Sequence, residues 1–157
     1  MYLFIKTMEK QIFETRKGDY LLSTDPAKLD LKAVHRYLST ESYWSKGIHY
    51  ETVQQASENS LCFAIYHHDQ QIGYARVISD FTTIAYLADV FILPAYRGQG
   101  LAKWLTQSIR AHPNLQGLRR WILLTRDAHS LYEQSGWSRI AQPELWMEIH
   151  QKDIYHP

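Results

Sequence analysis

One stretch narrows the folds open to this chain more than any other: residues 90–102, VFILPAYRGQGLA. Its apolar, β-favouring residues run as far as Leu93, where Pro94, lacking a backbone N–H, ends the ladder. Behind Gly98 and Gly100 a helical stripe begins, with Leu101, Trp104, Leu105, Ser108 and Ile109 on one face, and it ends near Pro113. A strand that passes through a glycine turn straight into a helix leaves the helix's first N–H groups pointing outward at the strand's end. Their partial positive charge favours an anion there. Glycines at 98 and 100 remove the side chains that would hold a phosphate off. Arg97 adds a fixed positive charge suited to a diphosphate.

The spacing excludes two familiar phosphate motifs. Lys103 stands where the third glycine of G-x-G-x-x-G belongs, and Asp127 is the first carboxylate after Gly100, too far on for the ribose contact. The G-x-x-x-x-G-K-[ST] spacing is absent. An ordinary helix entry that holds two glycines stays open on the turn alone.

Around this turn the apolar period changes several times. Tyr20 to Leu22 reads as a first strand. Leu31, Val34, His35 and Leu38 follow at helical spacing behind Asp30 as N-cap, and a second short helix covers 50–58. Strands are expected over 61–66, 71–78 and 85–93, and a buried one over 121–124. A helix over 128–134 stops at Gly136, and a last strand covers 146–149. The order β-α-α-β-β-β-α-β-α-β points to an α/β sandwich on a mixed sheet. With 157 residues and neither repeat nor linker, the chain reads as one domain, residues 1–17 forming an N-terminal extension.

Composition removes whole classes of function. Seventeen Lys and Arg against sixteen Asp and Glu leave a formal charge of +1, without the basic excess of a nucleic-acid binder. The single cysteine, Cys62, excludes an intramolecular disulfide framework and fits a reducing compartment. The start MYLFIKTMEKQ lacks a secretory pattern, and no run approaches the ~20 apolar residues of a membrane span. A cytoplasmic protein is expected. Eight histidines raise the question of a metal, but none pair at i, i+3 or i+4, and His67 and His68 point apart at a turn, so no metal site is expected.

The pattern R-x-x-G-x-A at Arg97, Gly100 and Ala102 resembles the acyl-CoA signature Q/R-x-x-G-x-G/A of the GNAT superfamily of N-acetyltransferases. Downstream, AHSLYEQSGW over 128–137 resembles that family's A-x-x-L-Y-E-x-x-G-F segment, with Trp137 in place of Phe. The likeness extends from about the first strand to Trp137. It implies an α/β fold with a mixed, mostly antiparallel central sheet flanked by helices, splayed between two central strands into an acyl-CoA cleft. It also implies acetyl-CoA as co-substrate, an amine acceptor, and a homodimer, since members of this fold pair through sheet edges or C-terminal strands.

By the same resemblance, the backbone of Phe91, Ile92 and Leu93 would pair with the pantetheine arm, an N–H near Ile92 serving the thioester oxygen. Arg97, Gly98, Gln99, Gly100, Leu101 and Ala102 would hold the diphosphate. Thr125 stands where the family commonly has Asn against the pantetheine. Tyr132 would protonate the departing thiolate, its phenol being neutral at pH 7. Asp89, an acid in an otherwise apolar strand, is the candidate general base, with a structural role at a bulge as the alternative. Tyr43 and Trp44 lie where the family builds its acceptor wall, and Trp44 covering the sheet is the plainer reading. These motifs specify the donor, so a non-catalytic acyl-CoA-binding or regulatory module is the alternative function.

Overall fold

The computed structural model describes residues 11–156. Six strands form one sheet in sequence order: β1 (Glu14–Lys17), β2 (Tyr20–Ser23), β3 (Leu61–His67), β4 (Gln70–Ser79), β5 (Ile84–Ile92) and β6 (Arg120–Leu123). Every neighbouring pair is antiparallel except β5–β6, which is parallel because α3 (Leu101–Arg110) crosses over between them. Helices α1 (Leu31–Thr40) and α2 (Tyr50–Glu58) cover one face, and α3 with the short α4 (His129–Glu133) covers the other. This is the expected mixed, mostly antiparallel sheet flanked by helices.

Two differences stand out. Residues 14–17, read from sequence as part of an extension, form the edge strand β1, paired from Glu14↔Ser23 to Lys17↔Tyr20. Of the rest of that extension, residues 1–10 lie outside the described residues and residues 11–13 precede β1. The strand expected over 146–149 is not formed. Leu145, Met147 and Ile149 have the alternation of a strand, yet no neighbour offers them a ladder, and Met147 and Ile149 are 97% and 99% exposed. Residues 137–147 line a cavity of about 910 Å³ together with β6 and α4. They meet β6 through side chains, as where the Arg120 guanidinium lies 5.1 Å from the Trp146 ring centroid, and not through a backbone ladder.

Local chemistry explains the starts and stops. Asp30 caps α1, accepting a hydrogen bond from the Ala33 amide at 3.0 Å. Asp80 gathers the amides of Thr82, Thr83 and Ile84 and the Thr83 hydroxyl, closing the β4–β5 connection. These bonds hold its carboxyl well below the usual range.

The sheet separates two cores. Phe63, Ile65, Ile72 and Val77 pack with Leu101, Leu105 and Ile109 of α3. Tyr74 and Phe91 pack with Val34, Tyr37 and Leu38 of α1 and Val53 of α2. Strand β5 serves both cores by an irregularity. Between the pairs Tyr74↔Phe91 and Arg76↔Ala88, β4 advances two residues and β5 three. The extra residue is a bulge, with Asp89 at φ +54°. Before it Ala85 and Leu87 face α3; after it the alternation is displaced by one, so Ile92 faces α3 and Phe91 faces α1.

Candidate active site

The bulged strand opens the site. Pairing between β5 and β6 runs from Ile84↔Arg120 to Leu87↔Leu123 and stops, while β5 continues to Ile92. From Ala88 onward that side of β5 has no strand partner, and the Phe91–Leu93 backbone lies beyond the point where the two strands separate. Leu93 itself is anchored on the opposite side, its amide donating to Ile72 O at 2.8 Å.

At the end of β5, Pro94–Tyr96 makes one 3₁₀ turn, and Gly98 and Gly100 then take left-handed conformations at φ +75° and +73°. No side chain caps α3, and the first helical bond runs from Trp104 N to Gly100 O at 3.0 Å. The amides of Leu101, Ala102 and Lys103 therefore have no acceptor among the described residues. A Cβ at Gly98 would meet nothing within 4 Å, and one at Gly100 only the Lys17 ammonium. The turn is an open cradle of donors at the positive end of a helix, and it fits a phosphate.

Two side chains of the turn are already engaged. Arg97 donates through Nε to Ile92 O and through a terminal nitrogen to the Tyr37 hydroxyl, both at 2.9 Å. Tyr37 stacks on Phe91 with ring centroids 3.9 Å apart. Arg97 thus fastens the turn to the end of β5 and to α1, instead of reaching outward as the sequence suggested. Gln99 accepts from the Tyr20 hydroxyl at 2.8 Å.

Across the cleft, Tyr132 sits in α4, only 8% exposed, with its ring edge-on to Trp137. Burial, with a smaller push from Tyr43, raises its phenol to about 12. Its hydroxyl has no hydrogen-bond partner among the described residues, so it is a neutral donor. Thr125 Oγ1 accepts from the Ala128 amide at 3.0 Å, which stabilises the entry to α4. Its proton remains available to another acceptor.

The connection between α1 and α2 roofs the cleft. Tyr43 accepts from the Arg126 amide at 3.0 Å, and the Arg126 guanidinium stacks 3.8 Å from the Tyr43 ring centroid. Trp44 donates through Nε1 to Asp89 Oδ1 at 3.0 Å, while Arg76 Nε donates to Asp89 Oδ2 at 2.8 Å. Arg76 also reaches Ser60 Oγ at 3.2 Å. Tyr43 and Trp44 therefore tie the two separated strands together from above.

Sequence reasoning brought Tyr43, Trp44, Asp89 and Tyr132 forward, and the fold gathers them at one mouth. It missed Arg76, Tyr37, Arg126 and Lys17. An arginine in the apolar strand 71–78 opposite an aspartate in the next strand was a readable signal for Arg76. The other three owe their places to long-range packing.

Over residues 58–139, which include the glycine turn and α4, the chain matches the acetyltransferase (GNAT) domain family. The chain belongs to the GNAT acetyltransferase family. A candidate acetyltransferase of Gibberella zeae is 35% identical to this GNAT chain, over 74% of this chain and 77% of that one. A candidate GNAT-family acetyltransferase from Xanthomonas campestris pv. campestris is 44% identical, with a TM-score of 0.86, covering 88% of this chain and 97% of the other. A Mycobacterium tuberculosis protein solved in complex with CoA shares the fold at 18% identity and a TM-score of 0.57, over 72% of this chain and 69% of that one. The family match starts at the end of α2, so the GNAT residues that roof the cleft lie outside it. Among the described residues no helix is long and apolar enough to cross a membrane, and no cluster of three or more His, Cys, Asp or Glu could hold a metal.

Proposed function

We propose that this chain moves the acetyl group of acetyl-CoA directly to a primary amine of a small molecule or protein, within a ternary complex. The observation that carries the reading is the pair of left-handed glycines opening the uncapped start of α3. They lie at the end of a strand that has parted from its neighbour, and the neutral Tyr132 hydroxyl serves the same cleft.

The amides of the turn and of Leu101 and Ala102 bind the diphosphate, and the free backbone of Phe91–Leu93 aligns the pantetheine arm. The mouth between Tyr43 and Tyr132 brings the neutral amine to the thioester carbonyl, where orientation alone contributes effective molarities of ~10⁵ M or more. A backbone N–H near Ile92 stabilises the developing oxyanion. The C–N bond forms, the C–S bond breaks, and Tyr132 donates its proton to the thiolate, giving free CoA. The amine's surplus proton leaves to solvent and the phenol is reprotonated from it. Of the two roles open to Asp89, the ion pair with Arg76 and the bond from Trp44 favour positioning the acceptor wall, because both oxygens are already used.

A cytoplasmic location fits the lone thiol of Cys62. A homodimer fits the open edge of β6 and the strand-patterned, exposed Leu145, Met147 and Ile149; sedimentation of the wild type and of Met147→Asp tests it, a monomer in both refuting it.

Thermal shift with acetyl-CoA, with CoA, ATP and NADH as comparators, tests the donor site. At 100-fold its dissociation constant a ligand stabilises by about 2.7 kcal/mol, a rise of roughly 5–11 °C for a domain of this size. Shifts with both CoA species alone support the reading, and Gly100→Glu should remove them. Product formation across an amine panel then identifies the acceptor, while no product with any amine would count against acetyl transfer.

A further inference from the structure

The positive charge at the glycine turn comes from an unexpected direction. The guanidinium of Arg97, the cation within the signature itself, bonds to Ile92 O and Tyr37. Lys17, at the end of the edge strand β1, instead brings its Nζ to 3.6 Å from where a Cβ on Gly100 would stand. The side chain is exposed, and no carboxylate among the described residues pairs with it.

We propose that Lys17 binds a phosphate of acyl-CoA over the glycine turn and adds to the donor's affinity. The proposal rests on the acyl-donor reading above. An ammonium beside the positive end of a helix is repelled in the free protein, and a phosphate between the two converts that repulsion into two attractions. The hairpin that carries Lys17 is fastened in place. Lys17 pairs with Tyr20 across a two-residue turn that begins at Gly18, φ +57°. The Tyr20 hydroxyl is bonded to Gln99 within the glycine turn, and its ring meets Tyr96 edge-on, centroids 6.4 Å apart. The edge strand thus contributes to the donor site. The shared chemistry is a phosphate dianion or diphosphate, from either the 3′-phosphate or the bridging diphosphate of CoA.

Calorimetric titration of CoA and of 3′-dephospho-CoA into wild type, Lys17→Ala, Lys17→Arg and the remote Lys32→Ala tests this. For CoA, Lys17→Ala should weaken binding about 5-fold, and Lys17→Arg and Lys32→Ala should bind close to wild type. The loss should shrink as salt rises, because this contact is screened. A loss kept with 3′-dephospho-CoA assigns Lys17 to the diphosphate; a loss that vanishes assigns it to the 3′-phosphate. Equal affinity of Lys17→Ala and wild type for CoA at low salt overturns the proposal but leaves the donor reading intact. A wild type that binds neither compound overturns both. In steady state the Lys17→Ala defect should fall on KM for acetyl-CoA and spare kcat.

Discussion

Arg76 Nε lies 2.8 Å from Asp89 Oδ2, directly beside the bulge that breaks the β4–β5 ladder, and both side chains are largely buried, 17% and 12% exposed. The bulge turns Asp89 towards the sheet face covered by α1 and α2. The arginine satisfies the resulting charge, and the second carboxylate oxygen holds the Trp44 indole. One ion pair therefore sustains both the irregular strand and the roof above the cleft.

Removing one partner leaves the other charge buried, so Arg76→Leu should destabilise the fold by about 3 kcal/mol. Urea unfolding would show this as a lower midpoint, and melting should fall by roughly 6–12 °C. A midpoint within error of wild type would mean the pair contributes nothing.

Asp89→Asn keeps the shape and one acceptor for Trp44 while removing the charge. If Asp89 positions, the folded variant should keep a pH–rate profile of wild-type form, with a reduced kcat/KM for the amine. Loss of the low-pH limb of that profile, where a general base must first give up its proton, would instead return Asp89 to the role of proton acceptor.

Tyr132→Phe should lower kcat by about 10²-fold, the lower end for a general acid, with acetyl-CoA affinity nearly unchanged. Rapid-quench measurement would separate the transfer step from product release. An unaltered transfer rate would remove Tyr132 as the donor.

Alkaline pH should unfold the protein. Burial raises the phenols of Tyr37, Tyr66, Tyr74, Tyr86 and Tyr132, the last to about 12. The folded state holds these protons more tightly than the unfolded chain, whose tyrosines titrate near 10. Their contribution is complete below pH 10 and is lost as pH rises through the folded values. Melting temperatures between pH 8 and 11.5 should decline steeply above 10; a flat profile would contradict the burial of these hydroxyls.

Gly73→Ala tests how closely β4 supports the cleft. A Cβ there would lie 2.7 Å from Ile92 Cδ1 and 3.3 Å from Phe91 O. The overcrowding should cost about 1–3 kcal/mol and push the end of β5, so CoA binding should weaken together with stability. Unchanged binding in a destabilised variant would show that the cleft relaxes independently of β4.

Much of this was legible in the residues. The α1 stripe behind Asp30, the Pro94 stop and the glycine pair at 98 and 100 are local signals, and each lies where its own chemistry requires. The short strand β1 was not legible, because Glu14–Lys17 carries almost no apolar alternation and is held by its ladder to β2. The opposite failure occurred at 146–149, where a good alternation found no ladder. Arg97 shows the same limit at the site: its charge was readable, while its direction was decided by Tyr37, sixty positions away.

The bulge at Asp89 makes the length of β5 as informative as its composition. Replacing Asp89 would alter a contact; deleting it would let the strand count evenly against β4. Phe91 and Ile92 would keep their sides, whereas flattening the bulge with Asp89 retained would exchange them, the aromatic entering the α3 core and the aliphatic facing Tyr37. Homologous chains that keep this cleft should therefore carry the extra residue as a bulge or lack it altogether, and never absorb it into a regular ladder.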